Sequence, residues 1–425
     1  MTARPPRICC LDLDTFFVSV ERLLDPSLEG KPVIVGGRPG HRGVVTACSY
    51  EVRVLGVRSG MSLTTAGRLA PDAIYLPTRQ GAYGEYSKRV REIAGRYSPV
   101  VQVASIDELF MDLAGCERLY RKPEHSSDDA AILAIVREMT GVIKKEVGLP
   151  ASAGIAASRS MAKIASGLAK PAGVLLVPAG QEPDVLAPLP VRKLPGIGPV
   201  AEEKLASLGI TKLGEIGAVP LEKLRSVFGA WAESVRDGAC GRGSSDLSRD
   251  RPAFREHDVE GDIVGSISNE RTFREDVGDT RTIEARLCWL CERVCWRARR
   301  RGVRARTVSL KLRYADFKTI TRARTVSPTN SEVEIYPVIM ELFEAARTRR
   351  LRVRLLGVTL TNLGFFDEQI ELFAPDKRRI EAVDAIREKY GYDAVGLAGG
   401  RKYAGRQRAA NTAAGRPRPP SDSNS

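Results

Sequence analysis

The sequence predicts an α+β protein of several domains. Three observations carry that expectation. The chain has 425 residues, more than one core holds at roughly 100–200 residues per domain. Residues 6–115 alternate strand-like and helix-like stretches, and a glycine-punctuated helical region at 171–240 separates them from a second mixed part beyond 255.

In order, RICCLDL reads as a strand, TFFVSVERLL as a helix, KPVIVGG as a strand and GVVTACSYEVRVLG as a strand running into a helix, an α/β or α+β pattern. Residues 81–97 make an amphipathic helix, and VVQVASIDELFMDL makes two short strands meeting at an acidic turn. After the polar RKPEHSSDD, residues 131–145 are helical, ASAGIAAS is strand-like, and SRSMAKIASGLAKPAG is a helix stopped by Pro-Ala-Gly. Short helices follow in VRKLPGIGPVAEEKLASLGITKLGEIG, then a polar linker at 241–255. The later part offers GSISNERTF, a long helix at 280–300, VSLKLRY and TRRLRVRLLGVTLTNL. Val308, Leu310 and Leu312 alternate with Ser309, Lys311 and Arg313, which gives a sheet one buried face and one positive face. From Arg401 the chain is poor in apolar residues, and a disordered basic tail is expected at 401–425.

With 43% hydrophobic and 28% charged residues the composition is that of a globular protein. An excess of 66 Lys and Arg over 52 Asp and Glu leaves +14, which favours a polyanionic partner. No stretch approaches the ~18 apolar residues of a membrane span, and the N-terminus meets acids before a signal-peptide core develops, so a cytoplasmic protein without a membrane partner is expected. Cys288, Cys291 and Cys295 fall on one helix face. A zinc half-site there has no second Cys/His pair nearby, and buried reduced thiols are expected instead.

The chemistry starts at CCLDLDTFF, residues 9–17, where Asp12 and Asp14 follow an apolar run. A haloacid-dehalogenase phosphatase opens this way, with its first aspartate as nucleophile; a metal-only role fits equally. A second acidic group, Ser105-Ile106-Asp107-Glu108, lies between two apolar runs. Adjacent carboxylates share a site only at a turn or irregularity; otherwise the group is an exposed acidic hairpin tip. Brought together with Asp12, three carboxylates repel unless cations neutralise them, and such hard oxygen donors suit two magnesium ions clamping a phosphoryl transfer. Tyr50 and Arg53 share a helix face beside free backbone N–H groups, and Lys163 adds a point charge, a set that suits a nucleoside triphosphate although each alone reads as a surface residue. In Leu194-Pro195-Gly196-Ile197-Gly198-Pro199, Gly196 and Gly198 form a helix-hairpin-helix turn able to approach a DNA phosphate, or an ordinary helix-helix turn. Arg297, Arg299, Arg300, Arg301, Arg304, Arg306, Lys311 and Arg313 form a run without acids that is either a solvated face or a salt-sensitive duplex contact.

In DLDTFFVSVE, DPSLEGKPVIVGG, TACSYEVRVLGVRSGM, YLPTR, ASIDELFMDL, AGIAASRSMAKIASGLAKPAG, LPGIGPVAEEKL and SISNERTF, in this order over about 6–365, the chain resembles the Y-family, or translesion, DNA polymerases. The resemblance implies a right-hand polymerase: a ferredoxin-like palm (1–14 and 81–170), small fingers (15–80), a helix-hairpin-helix thumb (171–240) and, after the linker, an α+β little finger (256–365). It implies that Asp12, Asp107 and Glu108 bind the metals with the Leu13 carbonyl, Glu108 being the active-site acid. Tyr50, Arg53 and Lys163 contact the triphosphate, and Phe17 lies under the sugar and rejects a 2′-hydroxyl, with Phe16 in the core and Asp14 a bystander. Gly36, Gly37 and Cys48 hint at an open pocket and low fidelity, and no segment is left for a proofreading exonuclease. The implied partners are primer-template DNA and dNTPs, with a sliding clamp bound at 366–400 through Gln369, Leu372 and Phe373 of QIELF. A final strand packing the following helix is the alternative there. The protein is expected to be a monomer. A catalytically silent DNA- and clamp-binding scaffold and the phosphatase are the rival functions; the phosphatase requires a further acidic pair on parallel strands.

Overall fold

The apolar run before Asp12 becomes β1 (Ile8–Leu13), apolar on both faces because it is the central strand of a sheet covered on both sides. The structure, a computed structural model, describes residues 6–247, 265–366 and 377–397 and divides into two compact units, Met1–Glu256 and His257–Ser425. After β1 the first unit runs through α1 (Phe16–Leu24), β2 (Val33–Val35), β3 (Ala47–Cys48), α2 (Tyr50–Arg53), α3 (Leu63–Leu69), β4 (Ile74–Leu76), α4 (Gln80–Ala94), β5 (Val100–Val103), β6 (Glu108–Asp112), α5 (Glu117–Tyr120), α6 (Asp128–Val147), β7 (Ala151–Ala156), α7 (Arg159–Ala169) and β8 (Val174–Leu176). It ends in helices α8 (Glu182–Leu186), α9 (Pro199–Ser207), α10 (Leu213–Ile216), α11 (Leu221–Phe228) and α12 (Ala232–Ala239).

The main sheet has the order β5-β6-β1-β7-β8, antiparallel except for β7 with β8. Side chains alternate across a strand. Cys9, Leu11 and Leu13 therefore enter one core with Tyr83, Val90 and Ile93 of α4 and Ile132 and Val136 of α6. Ile8 and Cys10 enter the other, with Phe110 of β6, Ala162 and Ala165 of α7, and Leu186 and Leu194. α7 lies directly on β7 because residue 154 has no side chain. A Cβ on Gly154 would stand 2.1 Å from the Ser166 nitrogen and 2.2 Å from the Ala162 oxygen. Helix ends follow ordinary capping rules: Ser158 accepts from the Met161 N–H at α7, and Ser127 from the Ala130 N–H at α6, which ends at Gly148 with φ 84°.

A small second sheet, β3-β2-β4, has its own core of Ile34, Val45, Cys48, Val52, Val57 and Leu63. This corrects the idea that Cys48 and Gly36 mark an open pocket. Cys48 is fully buried in that core, and a Cβ on Gly36 would meet the Val44 carbonyl oxygen at 2.4 Å, so its absence serves the backbone. In the helical region Gly196 takes φ 95°, and the Trp231 ring covers it so closely that a Cβ would lie 2.2 Å away.

The second unit is β9 (Ser266–Val277), α13 (Thr280–Arg299), β10 (Arg304–Tyr314), β11 (Thr319–Thr329), α14 (Glu332–Ala346), β12 (Val353–Gly364) and α15 (Lys377–Tyr390). Its antiparallel sheet has the order β11-β10-β12-β9. Val308, Leu310 and Leu312 are fully buried in a core with α13 and α14, as the alternation requires, while Lys311 and Arg313 take the other face. That face is less positive than expected: Lys311 reaches across Gly357 to Glu270 at 2.6 Å. The arginine run is also not one surface. Arg299 is bound to Asp384 at 2.6 Å and to Glu332, and near it Arg387 of α15, only 1% exposed, is held by Glu292 at 2.6 Å. These buried pairs fasten α15 to α13. Cys288, Cys291 and Cys295 are buried free thiols, with burial pushing the Cys291 and Cys295 thiols up. The QIELF segment, most of the 241–255 linker and the 401–425 tail lie outside the described residues.

Gly154→Ala is expected to destabilise the first unit by about 1–3 kcal/mol, the usual cost of overpacking, read as a lower urea midpoint; an unchanged midpoint would show that α7 yields without cost.

Candidate active site

Three carboxylates come together because of strand register. Asp12, next to last in β1, lies on the same face as Cys10, which is the α7 side, and the cross-strand partner of Asp12 is Glu108, the first residue of β6. Asp107 sits in the turn before it, where its carbonyl accepts from the Leu13 N–H at 2.9 Å. The turn is closed by Ala104 and Ser105, whose N–H groups both donate to the Glu108 carbonyl at 3.0 Å. The adjacent acids thus share a site because one is in a strand and its neighbour in a turn. The Asp107 carboxylate accepts from the Ser105 hydroxyl.

The close seating of α7 brings two lysines to these acids. Lys163 pairs with Glu108, and Lys170, just beyond the helix, pairs with Asp12 and stands 3.8 Å from Asp14 Oδ1. Sequence reasoning missed Lys170; its signal was a lysine directly before the proline that stops the helix. Asp14, expected as a bystander, is 1% exposed and structural. Its Oδ2 accepts from the Ser152 hydroxyl at 2.8 Å and the Ala172 N–H at 2.7 Å, which ties β1 to β7 and to the turn after α7.

Tyr50 and Arg53 open and close the single turn of α2, with the guanidinium 5.1 Å over the ring. Burial pushes the Tyr50 phenol up, and the Asp14 carboxylate adds to this, which places α2 beside the acids. Phe17 lies at the start of α1 and stacks on Tyr83 at 4.0 Å and 13°, whereas Phe16 is buried in the core. Gly196 and Gly198 shape the turn into α9. In the second unit Arg306 is exposed with its guanidinium over Phe366, Arg313 donates to the Thr319 hydroxyl at 2.8 Å, and Arg304 begins β10.

Among the described residues no three acidic, histidine or cysteine side chains already form a metal cluster; each carboxylate is turned to a lysine or a hydroxyl. The donor set nevertheless fits divalent cations. Burial raises the Asp12 carboxyl above its ordinary value against the pull of Lys170, and Asp107 and Glu108 raise it further. Asp14 Oδ1 is buried without a hydrogen-bond partner. Crowded hard oxygens that need positive charge are what such ions bind.

The family model described as the impB/mucB/samB family matches residues 11–167, its C-terminal domain 264–372, and the IMS family HHH motif 180–210. DNA polymerase IV of Dehalococcoides mccartyi is 39% identical over 395 residues, covering 92% of this chain and 96% of that protein. The chain belongs to the Y-family of DNA polymerases. The polymerase is also 36% identical over 394 residues to DNA polymerase IV of Caulobacter vibrioides, covering 91% of this chain and 92% of that one. A solved Y-family DNA polymerase chimera is similar at a TM-score of 0.70 and 25% identity, over 84% of this chain and 98% of that one. An insertion ternary complex of Dbh DNA polymerase shares the fold at a TM-score of 0.56 and 24% identity, over the same shares of the two chains.

The polymerase is therefore a DNA-directed DNA polymerase of translesion synthesis and repair that binds DNA and dNTPs, and membership implies a divalent metal cofactor. Its fold is right-hand, with a ferredoxin-like palm, small fingers, a helix-hairpin-helix thumb and a separate α+β little finger. The phosphatase alternative falls: both neighbours of β1 are antiparallel to it, so the parallel acidic strands it needs are not there.

A pH dependence follows from Asp12. Its raised value means that the folded chain holds this proton more tightly than the unfolded chain. Stability from this group is full below the ordinary 3.8 and is lost as pH rises through the raised value. In chelator, Asp12→Asn is thus expected to raise the urea midpoint at pH about 7, with the gain vanishing in acid; a lower midpoint at neutral pH would show that Lys170 outweighs burial.

Proposed function

We propose that the polymerase adds dNTPs to a primer 3′-hydroxyl at Asp12, Asp107 and Glu108, with two magnesium ions as cofactors. The observation that carries this is the register that sets Asp12 opposite Glu108 while Leu13 bonds to the Asp107 carbonyl. These three carboxylates, with the Leu13 carbonyl, would hold the metals, Glu108 being the active-site acid. Bound magnesium would supply Lewis-acid neutralisation of the phosphate charge and a more acidic 3′-hydroxyl.

The chain's own residues do the positioning, which is most of the work in phosphoryl transfer. Tyr50, Arg53 and Lys163 face the triphosphate, and Lys170 joins them on the strength of its place at Asp12. Both lysines neutralise carboxylates in this structure and can be re-aimed at phosphate oxygens once other cations take those acids. Phe17 is the ring that lies under the sugar and excludes a 2′-hydroxyl.

We assign 1–14 and 81–170 to the palm, 15–80 to the fingers, 171–240 to the thumb and 256–365 to the little finger; the three separate sheets support palm, fingers and little finger, while the two palm cores also take in apolar residues of the fingers and of the thumb. Gly196 and Gly198, and Arg304, Arg306, Lys311 and Arg313, are the proposed contacts to DNA. Low fidelity without 3′–5′ proofreading, a monomeric state, a cytoplasmic place of action and a clamp contact through Gln369, Leu372 and Phe373 complete the proposal. No described helix is long and apolar enough to cross a membrane.

Primer extension with magnesium on undamaged and lesion-bearing templates tests the mechanism. Asp107→Ala is expected to lower kcat by roughly 100-fold or more, the scale of removing one charge-stabilising group, and chelation should abolish extension. Equal extension by the variant would sink the assignment. Phe17→Ala should weaken discrimination against ribonucleotides by roughly tenfold or more; unchanged sugar selection would remove Phe17 from its role.

A further inference from the structure

Behind Phe17 lies a polar cluster that neither catalysis nor simple packing uses. Phe17 and Glu21 are four residues apart on α1 and so share a helix face. Tyr83, from the first turn of α4, enters that face with its ring stacked on Phe17 at 4.0 Å and its hydroxyl donating to Glu21 Oε1 at 2.7 Å. Glu21 Oε2 stands 3.1 Å from the guanidinium of Arg79, the residue before α4. Tyr83 and Glu21 are both 0% exposed. A carboxylate buried there is desolvated and depends on both partners, whereas an apolar side chain would fill the same space without that cost.

What the cluster adds is position. A ring excludes a hydroxyl group only if it cannot tilt or slide away. Stacking fixes the spacing of two ring planes but leaves them free to slip past each other. A hydrogen bond at the far end of Tyr83 removes the slip, and Phe16, edge-on to Tyr83 at 6.2 Å, closes another side. Burial and the Glu21 contact push the Tyr83 phenol up, so it remains a donor.

We propose that Glu21 is a positioning residue for sugar selection: through the Tyr83 hydroxyl it fixes the Tyr83 ring, and through that ring it fixes Phe17 against a 2′-hydroxyl. This rests on the assignment of Phe17 as the ring under the sugar. Arg79 pairs with the second carboxylate oxygen without hydrogen-bonding to it and so balances the Glu21 charge.

The test is single-nucleotide insertion by the full chain, reading the ratio of kcat/KM for a dNTP to that for the matching rNTP. Tyr83→Phe and Glu21→Met are expected to lower this ratio about fivefold to tenfold by raising the rNTP term. Glu21→Gln, which still offers an oxygen to the phenol, should stay within about twofold of wild type, and the double variant should be no worse than either single one, because both break one link. A merely structural role would lower both substrates together with Tm and leave the ratio alone. Tyr83→Phe removes a single oxygen and decides the matter if Glu21→Met does not fold. Unchanged ratios in both variants, with Phe17→Ala losing selection, overturn this inference alone. An unchanged ratio in Phe17→Ala overturns the sugar-gate assignment and this inference with it.

Discussion

Repulsion between like charges is the constraint on which the rest of the first unit depends. Two carboxylates in contact repel by about 4 kcal/mol at an effective dielectric near 20, and here Asp12, Asp107 and Glu108 are brought to one end of adjacent strands in a buried sheet. Such a site persists only if the backbone cannot relax and if positive charge is supplied. The central strand cannot move, being hydrogen-bonded on both sides and packed on both faces. The charge comes from Lys163 on the helix laid over it and from Lys170 just beyond that helix. The palm is thus an electrostatic compromise held in place by its apolar cores.

Much of this fold was legible because β1, β6, β7, β10 and β12 carry apolar runs or strict alternation, and α7 has clear start and stop signals. Where the pattern weakens, elements escape notice. β11 is an exposed edge strand, TITRARTVSPT, rich in arginine and threonine and containing a proline, so neither burial nor alternation marks it. α14 carries Pro337 inside it, a residue that ordinarily argues against a helix interior, although Ile335, Ile339, Leu342, Phe343 and Ala346 keep helical spacing. The arginine run misled for a related reason: sequence density does not tell an exposed guanidinium from one such as Arg299, whose partners Glu332 and Asp384 lie tens of residues away.

The candidate site was legible where chemistry is local and illegible where it is relayed. Asp12, Asp107 and Glu108 could be paired across the sequence because each adjoins an apolar run that reads as a strand, and such strands can meet on one sheet. Lys170 went unread beside the Pro-Ala-Gly that stops its helix, and Asp14 looked idle because its partners, Ser152 and Ala172, are ordinary residues in distant segments. Tyr83 and Glu21 carry no motif; only their stacking and hydrogen bond reveal a connection to Phe17.

Gly154 shows how such a site can depend on a residue that takes no part in its chemistry. The two lysines reach the acids because α7 rests on bare backbone, with no room for even a methyl group. Transplanting the three carboxylates onto another sheet would therefore copy the charges without their counterweights unless the seat for the helix travelled too. For this polymerase, the smallest side chain in the sheet sets how far the cations stand from the anions, and the transferable unit of design is an acid pair together with one empty position on the neighbouring strand.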